Sequence, residues 1–193
     1  MENKLITIIC PIFNEEDSIP IFYNRLIDTI NEIENKYNFE LIFTNNNSND
    51  KSLDIIKEIC NNDERVNLLT LSRNFGYQKS MLAGINHANG DAIICIDVDC
   101  EDPPEMIKKF IKYWSDGYDI VYGERDKRKE PKIIELFRKL FYRLINAISD
   151  SETIIDMAEF SLFSKRVKEI IITNKSTFPF IRNEISYAGF KRK

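Results

Sequence analysis

The chain has 193 residues, of which 43% are hydrophobic and 30% are charged, and its formal net charge is −4. This length suits one compact α/β domain with a small C-terminal extension. The balance of apolar and charged residues is typical of a soluble globular protein and argues against global disorder. The net charge gives no reason to expect a nucleic-acid partner, and it leaves the oligomeric state open, a homo-oligomer included.

Cysteine usage and the amino terminus predict a cytosolic protein. No C-x-x-C pair occurs among the four cysteines, Cys10, Cys60, Cys95 and Cys100. Three of them lie in or beside apolar runs, which favours buried free thiols in a reducing compartment. We expect no signal peptide, because the first four residues lead straight into a strand-like run, and no stretch reaches the ~18–20 apolar residues of a transmembrane helix.

Strands and helices are predicted to alternate over the first two thirds of the chain. Short apolar runs predict strands at 5–10, 40–44, 66–71, 92–97 and 118–122. Helices are expected between them at 18–36, 51–61, 78–88 and 103–115, with Ser18 capping the first and Asp102 the last. This order predicts a mostly parallel sheet with helices on both faces. Ligands bind at the carboxyl ends of such strands, which selects the loops at 11–16, 45–50, 72–77 and 97–102.

The acidic loop after the fourth predicted strand is the strongest candidate site. Asp97 and Asp99 stand two residues apart, so in an extended chain their carboxylates point to the same side, and Glu101 continues the alternation. Such oxygens suit a hard cation, Mg²⁺ or Mn²⁺, that would neutralise a diphosphate. The structural alternative is that these acids only cap the following helix, a role that Asp102 can fill alone.

Two other strand-end loops offer groups for a nucleotide. Pro11 is expected to end the first strand, Phe13 offers a ring on which a base can stack, and Glu15 offers a carboxylate for a ribose hydroxyl. Arg73 follows the third strand, where it would either contact phosphate or remain solvated. The single histidine, His87, ends a predicted helix, so a surface role is favoured over catalysis. Neither a P-loop nor a dinucleotide fingerprint is present.

The chain becomes basic after residue 123. The segment 125–143 contains eight basic and three acidic residues. Apolar residues at 132–148 fall on one helical stripe, which would either insert into an anionic membrane surface or pack on the sheet. A membrane contact through 127–148 is therefore one hypothesis.

Five motifs along the chain are informative when they are taken together. They are Pro-Ile-Phe-Asn-Glu-Glu (11–16), Leu-Ser-Arg-Asn-Phe-Gly (71–76), Ala-Asn-Gly-Asp (88–91), Asp-Val-Asp-Cys-Glu-Asp-Pro-Pro (97–104) and Val-Tyr-Gly-Glu-Arg (121–125). This combination resembles family 2 glycosyltransferases, and it is nearer to the branch that includes dolichol-phosphate mannose synthase and bacterial polyprenyl-phosphate glycosyltransferases.

The resemblance implies a GT-A fold, a UDP- or GDP-sugar donor and Mg²⁺ or Mn²⁺. It assigns Pro11, Phe13, Glu15, Asn45, Asn46, Arg73, Asp97 and Val98 to nucleotide binding. It assigns Asp97, Asp99 and Glu101 to the metal, and Asp99, Glu159 and Arg125 to catalysis. It also implies peripheral attachment at the inner face of the membrane.

Departures from the family pattern affect the base and acceptor sites. The family's Val-Asp-Asp-Gly-Ser is Thr44-Asn45-Asn46-Asn47-Ser48 here, so restoring an aspartate at 45 or 46 is expected to tighten nucleotide binding. Asn47 replaces a glycine, and asparagine tolerates positive φ. The family's Gly-Asp-Phe-Arg is Ala158-Glu159-Phe160-Ser161. Relatives continue beyond the last residue here, often with two transmembrane helices.

One catalytic domain over 1–193 is therefore predicted, with a nucleotide-sugar-binding core at 4–123 and a truncated acceptor-side region at 124–193. The leading hypothesis is inverting transfer of a sugar to a polyprenyl phosphate. The alternatives are transfer to a saccharide acceptor and a nucleotide-binding module without catalysis.

Overall fold

The computed structural model describes residues 3–124, 157–174 and 179–193. Six strands are present in these ranges: β1 (Lys4–Ile12), β2 (Tyr37–Asn45), β3 (Val66–Thr70), β4 (Ala92–Cys95), β5 (Ile120–Glu124) and β6 (Met157–Ser164). They form one sheet in the order β3-β2-β1-β4-β6-β5. The first four in that order run parallel, whereas β6 is antiparallel to both of its neighbours.

All five predicted strands are confirmed, with shifted bounds. Strand β2 begins three residues earlier than predicted, and the fourth strand ends at Cys95 and not at Asp97. Strand β6 was not predicted, and it separates β4 from β5. The sheet is therefore mostly parallel, with one antiparallel strand inserted from the C-terminal part of the chain.

Six α-helices and one 3₁₀ turn are present in the described ranges. They are α1 (Ser18–Asn31), α2 (Ser52–Asn62), α3 (Tyr77–His87), the 3₁₀ turn (Pro104–Met106), α4 (Ile107–Ser115), α5 (Lys165–Thr173) and α6 (Ile181–Tyr187). The predicted caps are wrong, because Asp17 and Met106 precede α1 and α4 and neither makes a side-chain capping bond. Pro103 is extended and the 3₁₀ turn intervenes, so α4 begins well after Asp102.

Helices cover both faces of the sheet, as predicted. One face packs against α1, α2 and α4, and the other packs against α3, α5 and α6. The central strand β1 is buried on both faces from Ile6 onward, which explains its continuous apolar run. Its neighbouring residues Ile8 and Ile9 belong to the two opposite cores.

Helix α3 closely approaches β1 and β2 at one glycine. A Cβ added to Gly84 would stand 2.4 Å from Ile9 Cγ2 and 3.1 Å from Thr44 Cγ2. Only a residue without a side chain permits this approach. The contact fixes α3 over β1 and β2, with its first turn at the carboxyl edge of the sheet.

Two predicted features lie outside the described residues. They are Arg125, which was assigned to catalysis, and the basic segment 127–148, which was predicted to contact a membrane or the sheet. Among the helices that are described, none has the length and apolar character needed to cross a bilayer.

Candidate functional site

A pocket of about 310 Å³ opens at the carboxyl edge of the sheet. Its walls come from the end of β1, from the loops after β1, β2, β3 and β4, and from the start of α3. Its lining includes the predicted residues Pro11, Phe13, Glu15, Asn46, Asp97, Val98 and Asp99. It also includes residues to which the sequence analysis gave no individual role, namely Ile12, Asn74, Gly76, Tyr77 and Ser80. The strand-end rule selected the loop 72–77, but within that loop only Arg73 was given a role.

The loop after β1 is held by the loop after β2. Asn14 has a positive φ of 58°, and its backbone N–H donates to Ser48 Oγ at 3.0 Å. In return, the Asn49 N–H donates to Asn14 Oδ1 at 2.8 Å. This reciprocal pair fixes the backbone beside Phe13, whose ring is 40% exposed at the pocket.

Pro11 does not end β1, contrary to expectation. The strand continues to Ile12, whose carbonyl accepts the Asn46 N–H at 2.8 Å. On the other side, the last bond toward β4 joins the Ile96 N–H to Ile9 O. Strand β4 has ended beyond that point, so an N–H at position 11 would find no partner in β4. Proline, which has no N–H, therefore costs no hydrogen bond in the sheet there.

Asn45 does not reach the pocket. Its side chain is buried, its Oδ1 accepts the Ser48 N–H at 3.0 Å, and its Nδ2 has no hydrogen-bond partner. The neighbouring Asn47 has a φ of 61°, which agrees with the expectation that asparagine replaces glycine at a left-handed position. Asn45 therefore shapes the turn from behind the pocket wall.

Asn46 ties the loop after β2 to the loop before α3. Its Nδ2 donates to Asn74 Oδ1 at 2.9 Å, and its Oδ1 accepts the Phe75 N–H at 2.9 Å. Asn74 Oδ1 also accepts the Gly76 N–H at 2.8 Å. Both ends of the Asn46 amide thus contact protein, although the residue lines the pocket.

Arg73 lies away from the pocket lining. Its guanidinium stacks 3.9 Å from the centre of the Phe75 ring and donates to Asn74 O at 3.2 Å. The side chain is exposed, which corresponds to the solvated alternative considered for it.

The acidic loop turns instead of extending. The chain bends at Val98 and Asp99 and reaches a φ of 62° at Cys100, so the extended-chain alternation expected for the three acids is wrong. Asp97 and Asp99 still line one pocket, with Asp97 half-buried and Asp99 exposed. Asp99 Oδ1 accepts the Glu101 N–H at 2.9 Å. Glu101 is exposed and lies outside the pocket lining.

Negative charge is concentrated around Asp97. Burial raises the pKa of its carboxyl to about 6, and repulsion from Asp99, Glu159 and Asp102 acts in the same direction. The Tyr77 hydroxyl opposes this shift by donating to Asp97 Oδ1 at 2.8 Å. Burial also raises the pKa of Tyr77, so the hydroxyl remains a proton donor.

The donor groups of this pocket fit a hard divalent cation. In the described parts of the chain, no group of three carboxylate, histidine or cysteine side chains is placed to hold a metal ion, so the expected set of three ligands is not formed there. Mg²⁺ is commonly bound by one or two carboxylates together with water and substrate phosphates. Asp97 and Asp99 match that pattern, and a cation would relieve the repulsion around Asp97.

Glu159 approaches the same cluster from β6. Its Oε1 lies 2.9 Å from Arg182 Nε, but the N–H is not aligned for a hydrogen bond, so the contact is an ion pair. Arg182 also donates from Nη1 to Met157 O at 2.9 Å. The charge of Glu159 is close enough to act on both Asp97 and Tyr77. Strand β6 thus brings a carboxylate from the C-terminal region to the edge of the pocket.

The Ala-Asn-Gly-Asp motif (88–91) lies at the opposite edge of the sheet and has a structural role. Glu40 accepts hydrogen bonds from Asn89 N–H, Asn89 Nδ2 and Thr7 Oγ1, while Thr7 Oγ1 accepts the Gly90 N–H at 2.9 Å. Asp91 Oδ2 accepts the Leu5 N–H. His87 ends α3 beside this motif, with its Nδ1 bonded to the Ala83 carbonyl, far from the pocket.

The fold is that of solved glycosyltransferases. The chain superimposes with a TM-score of 0.67 on a mannosyltransferase from Pyrobaculum calidifontis solved in complex with GDP-Man and Mn²⁺. The two chains are 15% identical, and the match covers 100% of this chain and 55% of the other. Together with the mostly parallel sheet, this similarity defines a GT-A fold.

The sequence identifies the family within that fold. The profile described as "Glycosyl transferase family 2" matches residues 7–171, so the chain belongs to glycosyltransferase family 2. It is 38% identical to the uncharacterized glycosyltransferase YkcC of Bacillus subtilis strain 168, over 96% of this chain and 57% of the relative. It is 36% identical to a prophage bactoprenol glucosyl transferase homolog of Escherichia coli K12, over 96% of this chain and 60% of that protein. The chain therefore spans less than two thirds of these relatives.

Proposed function

We propose that this chain is the donor-binding and catalytic domain of a glycosyltransferase that moves a sugar from a UDP- or GDP-sugar to a polyprenyl phosphate. The main support is one pocket that combines Phe13 and Glu15 with Asp97 and Asp99 in a family 2 domain. The bactoprenol glucosyl transferase relatives support the lipid-phosphate acceptor.

In this proposal the two walls of the pocket bind different parts of the donor. Phe13 stacks against the base, and Glu15 accepts a hydrogen bond from the ribose. Asp97 and Asp99 would hold a divalent cation, Mg²⁺ or Mn²⁺, and its charge would neutralise the diphosphate leaving group. The first turn of α3 faces the same space, so its backbone N–H groups favour the diphosphate further.

The reaction requires no strong base when the acceptor is a phosphate. A phosphate oxygen is ionised at neutral pH and attacks the anomeric carbon of the sugar from the side opposite the diphosphate. The new bond joins that carbon to the acceptor oxygen, the bond to the diphosphate breaks, and the configuration inverts. Asp99 would help to hold the cation, whose charge would stabilise the departing nucleoside diphosphate, and Arg125 would contact the same diphosphate.

Glu159 supports an alternative acceptor. A saccharide hydroxyl must lose a proton during attack, so a carboxylate near the sugar would be needed as a general base. Glu159 lies near Asp97 and is available for that role only when its ion pair with Arg182 loosens. Replacing Glu159 by Gln should therefore abolish transfer to a hydroxyl acceptor but only weaken transfer to a phosphate.

The basic segment 127–148 is proposed to contact the membrane surface. Reversing the charges of Lys127, Arg128 and Lys129 should reduce sedimentation of the chain with anionic vesicles, because each basic residue near such a surface contributes about 1 kcal/mol. The unaltered chain with neutral vesicles is the control. Undiminished sedimentation of the variant with anionic vesicles would favour packing of this segment on the sheet.

Two assays in sequence test the function. Thermal unfolding is first measured with UDP or GDP, each with Mn²⁺ or with a chelator, and a metal-dependent rise in Tm is expected for one nucleotide. Transfer from the matching nucleotide sugar to undecaprenyl phosphate is then measured. Absence of any nucleotide effect would refute the proposal. Binding without transfer or donor hydrolysis would instead indicate a nucleotide-binding module without catalysis.

A further inference from the structure

Tyr77 contacts both the hydrophobic core and Asp97 in the pocket. It is the first residue of α3, and its ring packs against the core on that face of the sheet. Side chains at the start of a helix point toward its N-terminus, which here faces the pocket. The hydroxyl reaches Asp97 and donates to Oδ1 at 2.8 Å.

This bond restrains a carboxylate that its surroundings repel. Three other carboxylates, on Asp99, Glu159 and Asp102, act on Asp97. A carboxylate on a short side chain can reduce such repulsion by rotating away. The Tyr77 hydroxyl holds one oxygen in place, and a single bond to Oδ1 leaves Oδ2 available for a ligand.

The backbone that positions Tyr77 is itself fixed. Gly76 precedes it with a φ of 86°, and the Gly76 N–H donates to the Asn74 side chain that Asn46 also holds. One turn into the helix, Ser80 Oγ donates to Thr44 O at 3.1 Å. Hydrogen bonds to β2 and to the loop after it therefore fix the start of α3, and with it the position of the Tyr77 hydroxyl.

We propose that Tyr77 is a positioning residue that orients Asp97 to bind a divalent cation in the pocket. This inference rests on the metal role of Asp97 in the proposed function. Hydrogen bonds to ligating side chains are worth about 10–100-fold in metal affinity in other sites. A Tyr-to-Phe change removes only the hydroxyl and keeps the ring in the core.

The chain contains a matched control for that change. Tyr23 on α1 donates to Asp63 Oδ2, also at 2.8 Å, and lies outside the pocket lining. Tyr77→Phe and Tyr23→Phe thus each remove one tyrosine–aspartate hydrogen bond of equal length. A purely structural contribution would appear in both variants as a lower Tm, whereas cation binding should change in only one.

The experiment is calorimetric titration of the parent and both variants with Mn²⁺ alone, followed by titration of the parent with UDP or GDP in the presence of Mn²⁺. Tyr77→Phe is expected to raise the Kd for Mn²⁺ about 10–100-fold, and Tyr23→Phe is expected to leave it unchanged. Equal Mn²⁺ affinity in Tyr77→Phe and the parent would overturn the inference.

Failure of the proposed function gives a different result. A parent chain that binds Mn²⁺ but neither nucleotide overturns that function, while the Mn²⁺ comparison still decides the role of Tyr77. A parent chain that does not bind Mn²⁺ overturns the role of Tyr77, whichever nucleotide it binds.

Discussion

Replacing Asn46 by Asp should destabilise the loop after β2, although the family pattern predicts that this change tightens nucleotide binding. Asn46 donates from Nδ2 to Asn74 Oδ1, so an aspartate would set two acceptor oxygens against each other at the present separation of 2.9 Å. Rotation of the Asn74 amide would supply a donor to the introduced carboxylate, but it would take the acceptor away from the Gly76 N–H. One hydrogen bond is lost in either arrangement.

The size of the effect follows from burial. Asn46 is 3% exposed, so a hydrogen-bonding group left without a partner there costs about 1–3 kcal/mol in the free energy of unfolding. For a chain of this length that cost corresponds to roughly 2–4 °C in Tm per kcal/mol. Nucleotide binding should weaken as well, because Asn74, Gly76 and Tyr77 line the pocket.

Chemical denaturation of Asn46→Asp at several pH values is the assay. The pKa of the introduced carboxyl in the folded chain should lie above its unfolded value, because burial and the facing oxygen disfavour the charge. The penalty is then fully present above that folded pKa and shrinks as the pH falls through it, since the protonated carboxyl regains a donor. Asn74→Asp is the matched control, because Asn74 uses only its carbonyl oxygen in these bonds and should keep its stability. Equal stability of Asn46→Asp and the parent at about pH 8 would refute this reasoning.

Three further predictions concern the metal site, the core and an ion pair. Asp99→Ala should abolish Mn²⁺-dependent nucleotide binding, because Asp99 lines the pocket. Glu101→Ala is the control and should retain most of this binding, because Glu101 lies outside the lining. Calorimetry with each variant tests this, and equal nucleotide binding by the two variants would contradict it. Gly84→Ala should lower the free energy of unfolding by about 1–3 kcal/mol, because the added Cβ overpacks against Ile9. Gly123→Ala is the control and should cost less, because the nearest neighbour of its added Cβ is 3.4 Å away. Similar denaturation midpoints for the two variants would contradict this. Hydrogen bonds from Arg65 lower the pKa of Asp63 from 3.8 to about 2, so the ionised carboxylate stabilises the folded chain above pH 3.8 and this stabilisation is lost as the pH falls toward 2. In Asp63→Asn the free energy of unfolding should therefore fall less steeply with decreasing pH than in the parent. Equal slopes for the two chains in acid titrations would disprove this.

Local sequence patterns were sufficient to predict the order of strands and helices as far as β5. Buried strands such as β1 are continuous apolar runs, and helices alternate with them, so periodicity and length identify both. The carboxyl ends of parallel strands meet at one edge, and this rule alone predicted that Phe13, Glu15, Asp97 and Asp99 share one pocket. Exact ends, caps and the turn in the acidic loop were not predictable, because they depend on a few backbone angles.

Which side chains meet across the site was decided by the tertiary structure. Tyr77 and Asp97 are 20 residues apart, Asn46 and Asn74 are 28 apart, and Glu159 acts on Asp97 because β6 inserts beside β4. Periodicity describes a segment and its neighbours along the chain, so it cannot show which distant polar groups will share a hydrogen bond. The sequence by itself determined the family, the order of the elements as far as β5 and the place of the acidic loop. The packing of α3 and β6 on the sheet decided that Asn46 supports the loop before α3 and that Tyr77 contacts Asp97, because long-range contacts form only when those elements come together.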